Sequence, residues 1–281
     1  MLLGYNTNGL AHHDLVEAIE LLAELGYQSV AITIDHAALG RRGPLFYEQI
    51  DAVSEALARH GMRSVIETGA RFLLDSRRKH EPTLVSSQPA GREQRLEFYR
   101  HALEVASLLG SDCVSLWSGV VHDGAGEGEV WPRLIEGLKP LLDWAAEDEI
   151  PIGFEPEPGM FIDTMTKYDE LVARLASPPQ FQLTLDIGHL HCQGETPIDS
   201  MIRRYREQLV NIHLEDMRAG VHEHLMFGDG EMDFPPILAA LEECGYRGGV
   251  HVELSRHSHE GPQAAKRSIE FLKPLATWGA H

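Results

Sequence analysis

Four short apolar segments in the second half of the chain each end in an ionisable side chain: Glu155, Asp186, His213 and Glu253. In every segment apolar and polar residues alternate, which is typical of a strand and puts the ionisable residue on the face opposite the apolar one. If the four strands share one pocket, the three carboxylates cannot all stay ionised without a compensating cation. No Lys or Arg occupies a matching position. The pattern predicts one divalent ion, and oxygen ligands with one imidazole suit Mn²⁺, Mg²⁺, Co²⁺ or Zn²⁺.

The segment FQLTLDIGHLH, residues 181–191, shows this design most clearly. Its alternation puts Asp186 at the carboxyl end of a buried strand. We expect Gly188 to let the chain turn sharply, so that His189 folds back within reach of whatever Asp186 holds. Because Asp, Gly and His are also ordinary loop residues, a solvated loop after the strand is the alternative.

Hydrophobic periodicity predicts strands and helices that alternate along the whole chain. We expect strands at about residues 2–6, 29–35, 63–67, 112–118, 152–155, 181–186, 210–214 and 250–254. We expect helices at about residues 14–25, 45–59, 93–109, 131–147, 163–176, 197–207, 234–244 and 261–275. Eight such units indicate an α/β protein with a (β/α)8 barrel, as a single domain over residues 1–281. Such barrels carry their sites at the carboxyl ends of the strands, where the four ionisable residues fall.

Composition narrows the range of partners and compartments. The 281 residues include 43 acidic and 24 basic side chains, which gives a net charge of -19. A field of that sign repels nucleic acid and anionic membrane surfaces. The three cysteines have no CxxC spacing, so reduced thiols and a cytoplasmic location are expected. No membrane span or targeting leader is expected, and a homo-oligomer stays open.

The long irregular connection at residues 68–91 is the one loop without a predicted element of its own. It carries a basic cluster in an acidic protein: Arg71, Arg77, Arg78, Lys79 and His80. Loops of this length are usually functional lids or disordered segments. A solvated, partly mobile loop is one interpretation, and a lid over the site that meets an anionic or hydroxylated substrate is the other.

The motifs FEPEPG, LDIGH, NIHLED and HVEL follow one another on successive predicted strands. In this order they resemble the xylose isomerase-like TIM-barrel superfamily, which includes ketose 3-epimerases, inosose isomerases and dehydratases, and apurinic-site endonucleases. The resemblance implies a metal ion bound by Glu155, Asp186, His213 and Glu253. In the epimerase branch, the positions of Glu155 and Glu253 also form the catalytic acid/base pair.

The resemblance extends to residues that meet the substrate. The positions that match His189 and Arg218 resemble groups that contact substrate oxygens in the epimerase branch. The epimerases carry a further glutamate six residues after the first metal ligand, where this chain has Phe161. Glu157 is the candidate replacement.

The segment HEHLMFGDGEMDF, residues 222–234, contains a further pair of histidines. His222 and His224 resemble the position where the endonucleases hold additional metal ions, so a second metal, substrate contact and a plain surface loop are all open. His251 shares the parity of Glu253 and is expected to form hydrogen bonds inside the barrel rather than to bind metal. Candidate walls of the substrate pocket end the first four strands: Asn6, Asp35, Glu67 and Trp117.

The leading hypothesis is a metal-dependent isomerase or epimerase of a small sugar, sugar derivative or cyclitol ketone. Moving a hydrogen next to a carbonyl passes through an enediolate, which a metal stabilises by chelating the two oxygens while a carboxylate takes the proton. Dehydration by the same route is open. Two rival hypotheses are a metal-dependent phosphodiesterase of the endonuclease branch and a non-catalytic metabolite-binding barrel.

Overall fold

Eight short parallel strands close into the barrel that the sequence predicts. The computed structural model describes residues 1–40 and 44–279. Its strands are β1 (Leu2–Asn6), β2 (Ser29–Thr33), β3 (Arg63–Glu67), β4 (Val114–Leu116), β5 (Ile152–Phe154), β6 (Phe181–Asp186), β7 (Leu209–Leu214), β8 (Asp216–Arg218), β9 (Val221–Leu225) and β10 (Gly249–Val252). Around the barrel the order is β1-β10-β7-β6-β5-β4-β3-β2, and β2 pairs with β1 to close the ring. All neighbours in the ring are parallel, so their carboxyl ends form one rim.

Nine α-helices are described, and most of them cover the outside of the barrel. They are α1 (Leu15–Leu25), α2 (Pro44–His60), α3 (Pro89–Leu109), α4 (Glu127–Glu147), α5 (Met165–Arg174), α6 (Ile187–Gln193), α7 (Ile198–Tyr205), α8 (Phe234–Glu243) and α9 (Gly261–Leu272). Local chemistry sets their ends. Asp14 caps α1 by accepting the N–H groups of Val16 and Glu17, and Gly26 ends that helix in the left-handed conformation. Within residues 1–40 and 44–279, no helix is long and apolar enough to cross a membrane.

Two elements were not predicted from the sequence. The first is α6, which begins directly after β6, where we expect a sharp turn. The helices α3 and α4 are predicted, but each begins about four residues earlier than expected. β8 and β9 form an antiparallel hairpin outside the barrel, where the sequence suggests a loop. Both unpredicted elements lie next to the rim where the ionisable residues end their strands.

The inner face of the barrel carries small and polar side chains instead of the bulky apolar ones common in such barrels. Thr184 donates to the hydroxyl of Ser115 at 3.1 Å. His251 lies fully buried between Ser29, 2.9 Å from its Nε2, and the Oδ1 atom of Asn211, 2.8 Å from its Nδ1. Burial lowers the pKa of His251 to about 3, so the ring is neutral. The structure confirms His251 as a hydrogen-bonding residue of the barrel interior.

A buried arginine ties the connection between β3 and α3, residues 68–88, to the barrel. Arg95 of α3 has no exposed surface and donates to the backbone carbonyls of Pro82 at 2.6 Å, Thr68 at 3.2 Å and His80. Because a buried guanidinium is costly unless its donors are satisfied, these three bonds hold both parties in place. Residues 81–85 of the connection are buried against the barrel, whereas residues 76–79 are exposed, and the connection forms a wall of the pocket.

We expect Arg95→Met to lower the free energy of unfolding by about 2–5 kcal/mol, because three carbonyl groups lose a buried donor. Chemical denaturation measures this loss, and limited proteolysis should cut residues 68–88 sooner in the variant. Arg100→Met, an exposed arginine of the same helix, is the matched control and should change stability by less than about 1 kcal/mol. Equal stabilities of the two variants would show that Arg95 does not hold the wall.

Candidate metal centre and active site

Four side chains from strands adjacent in the barrel converge at the carboxyl rim. Glu155 follows β5, Asp186 ends β6, His213 lies in β7 and Glu253 follows β10. The Nδ1 atom of His213 is 3.1 Å from Oε1 of Glu155, 3.0 Å from Oε2 of Glu253 and 4.0 Å from Oδ2 of Asp186. One donor atom from each residue lies within 4.8 Å of all the others. The fold therefore brings together the four residues that the sequence predicts as ligands.

A further carboxylate decides which nitrogen of His213 faces this cluster. Oε1 of Glu67, at the end of β3, lies 2.8 Å from Nε2 of His213 and also accepts from the Asn211 amide at 3.1 Å. When Nε2–H is donated to Glu67, the lone pair of Nδ1 points at the three carboxylates, which is how proteins orient imidazole ligands. From the sequence alone, Glu67 is predicted only to line the pocket. The structure shows that it also orients the ring of His213.

The residues of the cluster fit a divalent ion. Oδ1 of Asp186 accepts the backbone N–H of His189 at 2.9 Å, whereas its buried Oδ2 has no hydrogen-bond partner among the described residues. Such an oxygen is costly unless a cation meets it. Three carboxylates and one imidazole are a donor set for Mn²⁺, Mg²⁺, Co²⁺ or Zn²⁺. Glu155, Asp186, His213 and Glu253 are the residues that would hold such an ion.

The pKa values of the cluster residues are shifted by burial and by the charges of their neighbours. Burial raises the pKa of Glu155 to about 8, against the opposing charge of His213. Burial also disfavours the ionised form of Glu253, but the charge of His213 and its hydrogen bond outweigh this and lower the pKa of that carboxyl far below its ordinary value. For His213, the lowering by burial is overcome by Glu67 and the other carboxylates, which raise its pKa well above its ordinary value. The carboxylates therefore favour a positive charge at the centre of the cluster.

Asn8 connects the cluster to the rest of the pocket, a cavity of about 190 Å³. Its side-chain amide donates to Oε1 of Glu253 at 2.8 Å. Its backbone carbonyl accepts from Arg71 at 3.0 Å and from the hydroxyl of Ser258 at 2.7 Å. One asparagine therefore joins a carboxylate of the cluster, the wall formed by residues 68–88 and the segment that follows β10.

Three imidazoles lie beside the carboxylates. Nε2 of His222 is 3.0 Å from Nε2 of His189 and 3.3 Å from Nε2 of His224. His222 and His224 share one face of β9 because they are two residues apart on a strand. Burial lowers the pKa of His189 to about 4 and also lowers the pKa of His222. Imidazole rings in this arrangement can meet substrate oxygens or hold a second metal ion, the two functional roles that the sequence leaves open beside a plain surface loop.

A single carboxylate holds the loop that follows this hairpin. Asp216 is buried and accepts three backbone N–H groups, at 2.8 Å, 3.0 Å and 3.1 Å, from Gly228, Gly230 and Met232. A Cβ atom on Gly230 would lie 2.2 Å from Oδ1 of Asp216, so glycine is required at that close approach. His222 and His224 lie on β9 of the hairpin, and Asp216 holds the loop that follows it.

The other residues predicted to contact substrate divide into two groups. Five of them line the cavity: Trp117, Glu157, His189, His222 and His224. Arg218 does not, because β8 leads away from the rim into the hairpin; its exposed side chain donates to the carbonyl of Asp229 at 2.9 Å. Phe161 also lies outside the lining and packs edge-on against Trp131, with ring centroids 5.0 Å apart. Of the four expected walls, three line the cavity and Asp35 borders a neighbouring one.

The residues after Asp186 form a helix and not the sharp turn expected at Gly188. Asp186 is the N-cap of α6 through its bond to the His189 N–H. Gly188 has a different role, since a Cβ atom there would lie 1.9 Å from Oε1 of Glu215 and would force that buried side chain to move. Glu215 is fully buried, and burial raises its pKa well above the ordinary value. The sequence does contain the signal for Glu215, which shares the strand parity of His213.

The fold and the site together define a class of protein. The family model of the xylose isomerase-like TIM barrel matches residues 19–275 of the chain. The protein belongs to this family, as the four motifs suggest.

Two of the proteins that resemble this chain are named as sugar epimerases. L-ribulose-5-phosphate 3-epimerase UlaE of Salmonella paratyphi C (strain RKS4594) is 27% identical over 254 residues, which cover 89% of this chain and 85% of that protein. D-allulose 3-epimerase from Methylomonas sp., solved with D-allulose, has a TM-score of 0.75 at 19% identity over 98% of this chain and 97% of its own. The IOLI protein, solved with a zinc atom, has a TM-score of 0.77 at 20% identity over 99% of this chain and 100% of its own. The two structures show the shared fold, and the relatives support the expectation that the chain is an enzyme.

We expect His213→Ala and Glu253→Gln to weaken divalent-metal binding, because each changes one of four donors. At a metal concentration of about 100 Kd, wild-type protein should melt about 5 °C or more above its EDTA-treated form, since the ion binds the native state only. Both variants should lose most of that difference at the same concentration. His12→Ala, on an exposed residue, is the control and should keep it. Stoichiometric metal in both site variants, measured by elemental analysis, would remove the basis for this site.

Proposed function

We propose that the protein is a divalent-metal-dependent epimerase or isomerase of a small sugar or related polyhydroxy ketone. The observation that carries the proposal is that Glu155 and Glu253 face one metal-binding position from strands separated by β6 and β7. Two bases around one substrate are what proton transfer on both faces of a carbon requires. The proposed cofactor is one ion of Mn²⁺, Mg²⁺, Co²⁺ or Zn²⁺.

The protein holds the two carboxylates in different ways. When bound, the metal ion supplies charge stabilisation for the carbonyl and adjacent hydroxyl oxygens of the substrate. Oε1 of Glu155 faces His213, which leaves Oε2 to take or return a proton. Glu253 is positioned from the other side, with Oε1 accepting from Asn8 and Oε2 facing His213. One carboxylate removes the proton next to the carbonyl, and the other returns a proton to the opposite face.

The surrounding side chains orient the substrate oxygens. Burial raises the pKa of Glu157 well above its ordinary value, which favours the protonated carboxyl, the form that can donate a hydrogen bond into the cavity. His189 and His222, whose pKa values are lowered by burial, offer rings along one side, and His224 lies beside them. Trp117 supplies an apolar face on which a sugar ring or chain can lie. We propose that these side chains bind the substrate. Arg218 is not among them, because it does not line the cavity.

The names of the relatives support a ketose as the substrate. Their printed substrates are L-ribulose 5-phosphate and D-allulose, both ketoses changed at carbon 3. A further structure with this fold is named as a 3-keto-D-glucoside 4-epimerase. Proton transfer next to a ketone is the chemistry common to all three names.

A panel of ketoses and inososes in D₂O tests the proposed function. We expect the metal-loaded protein to place deuterium on the carbon next to the carbonyl of its substrate, because the removed proton exchanges with solvent before return. Proton NMR detects this exchange even when the product is unidentified. Ligand binding without exchange anywhere in the panel would favour the rival of a non-catalytic metabolite-binding barrel.

The cluster of three histidines supports a second candidate function, phosphodiester hydrolysis. Phosphodiester hydrolysis uses several metal ions in one site, and His189, His222 and His224 would hold one of them beside the carboxylates. The net charge of -19 opposes binding of a nucleic-acid backbone, so this function is the weaker candidate. Cleavage of abasic-site DNA that disappears in His222→Ala would reverse this preference.

We expect Glu155→Gln and Glu253→Gln each to reduce turnover by about 10²- to 10⁴-fold, because glutamine keeps the shape and an oxygen ligand but is not a base. Substrate affinity should change much less. With each of two epimers as starting material, each variant should still exchange hydrogen with only one of them. Glu97→Gln, at an exposed position on α3, is the matched control and should retain full turnover. Equal loss of exchange with both epimers at normal metal content would argue for a single base and a one-sided isomerisation.

A further inference from the structure

A chain of hydrogen bonds runs through the inside of the barrel to the metal cluster. Its members are Ser29, His251, Asn211, Glu67 and His213, and all five are buried. The hydroxyl of Ser29 is 2.9 Å from Nε2 of His251, whose Nδ1 is 2.8 Å from Oδ1 of Asn211. The Asn211 amide is 3.1 Å and Nε2 of His213 is 2.8 Å from the same Oε1 atom of Glu67. The chain thus leads from the first residue of β2 to a candidate metal ligand at the opposite end of the barrel.

Glu67 sets the direction of every bond in this chain. An ionised carboxylate only accepts hydrogen bonds, so the Asn211 amide must turn its Nδ2–H group toward Oε1 of Glu67. Its Oδ1 atom then faces His251, which must donate from Nδ1, and the lone pair on Nε2 accepts the hydroxyl of Ser29. The Nδ2 atom of Asn211 is also 3.1 Å from Nε2 of His213, because both nitrogens donate to the same oxygen. Turning the amide over would set its oxygen against the carboxylate.

Two glycines make room for the ring of His251. A Cβ atom on Gly4 would lie 2.2 Å from Cδ2 of the ring, and a Cβ atom on Gly249 would lie 2.1 Å from its Cε1. Gly4 belongs to β1, the strand between β10 and β2, so its missing side chain lets the ring reach Ser29 on β2. Glycine weakens a strand interior and often marks a close approach of another group. The inside of the barrel is therefore shaped around this imidazole.

We propose that Asn211 and His251 are positioning residues of the metal centre, which hold Glu67 so that Nδ1 of His213 faces the carboxylates of the cluster. The proposal rests on the divalent ion of the proposed function but not on the reaction or the substrate. The Asn211 amide acts on Glu67 directly, and His251 acts one step further back by fixing which way that amide points. Loss of the outer partners of a metal-binding histidine typically weakens metal binding by about 10- to 100-fold.

Calorimetric titration of the EDTA-treated protein with Mn²⁺ tests the proposal without turnover. We expect Asn211→Leu to weaken Mn²⁺ binding by about 10- to 100-fold, because Glu67 loses the donor that holds it. His251→Phe keeps a ring beside Gly4 but lets the Asn211 amide turn either way, so a smaller loss of about 3- to 10-fold is expected. His251→Gln should bind Mn²⁺ nearly as the wild type does, since its amide can donate to Asn211 and accept from Ser29.

Thr184→Val is the matched control. It removes a buried hydrogen bond of the same barrel interior, to Ser115, without touching the chain, so it should lower stability but leave Mn²⁺ affinity unchanged. Equal weakening of Mn²⁺ binding by Thr184→Val and Asn211→Leu would overturn the proposal. So would equal affinities of His251→Phe and His251→Gln, a comparison that decides the matter even if Asn211→Leu does not fold.

Nitrogen-15 NMR of the metal-free wild-type protein tests the direction of the chain. The two nitrogens of a neutral imidazole differ in chemical shift according to which one carries the proton, so the ring of His251 reports its own tautomer. We expect the proton on Nδ1; a proton on Nε2 would mean that Asn211 turns its oxygen to Glu67, and the proposal would fail. A wild-type protein that binds no Mn²⁺ would remove the proposal together with the proposed cofactor. Mn²⁺ binding without hydrogen exchange in D₂O would reject the proposed reaction alone.

Discussion

Carboxylates held close together at the rim of a parallel barrel repel one another. The residues around them are arranged to offset that repulsion. Parallel pairing puts every carboxyl end at one rim, so Glu155, Asp186 and Glu253 meet around a single point. Glu155 and Asp186 are buried there, so solvent screens their charges only weakly. His213 is set at that point with its free nitrogen inward, because Glu67 occupies the other nitrogen. The polar interior of the barrel supports this arrangement, where larger apolar side chains would leave the donors and acceptors of these groups unsatisfied.

The elements outside the barrel turn an exposed rim into a pocket. The wall of residues 68–88 is held by Arg95, whose positive charge is spent on backbone carbonyls and not on the carboxylates of the cluster. The hairpin of β8 and β9 is continued by a loop fixed on Asp216, whose carboxylate is satisfied by backbone N–H groups. In each case one buried charged side chain, Arg95 or Asp216, binds the backbone of a loop and fixes its position. Neither side chain forms an ion pair with the carboxylates of the cluster among the described residues.

Much of this architecture could be predicted from the sequence, because strand parity is a local property. Alternation alone identifies the barrel strands and the four converging residues, and the order of the motifs identifies the family. Arg95 shows a signal that was present but unused, since a charged residue on the buried face of α3 with Phe98, Tyr99 and Ala102 needs a partner. Asn8 shows the opposite case. Its contact with Glu253 joins residues 245 positions apart, and no local pattern predicts such a pair.

A substrate fixed at the metal cluster would give the two carboxylates distinct work. A ketose held there by its keto and hydroxyl oxygens would present one face of the reacting carbon to each carboxylate. A single base could then reach only one face of the reacting carbon and would carry a proton between adjacent carbons on that face. Inversion at one carbon needs a second base on the other side. Glu155 is enclosed beside His189, whereas Glu253 is held by Asn8. For a substrate fixed in this way, two bases in such different surroundings fit the proposed epimerisation better than a one-sided isomerisation.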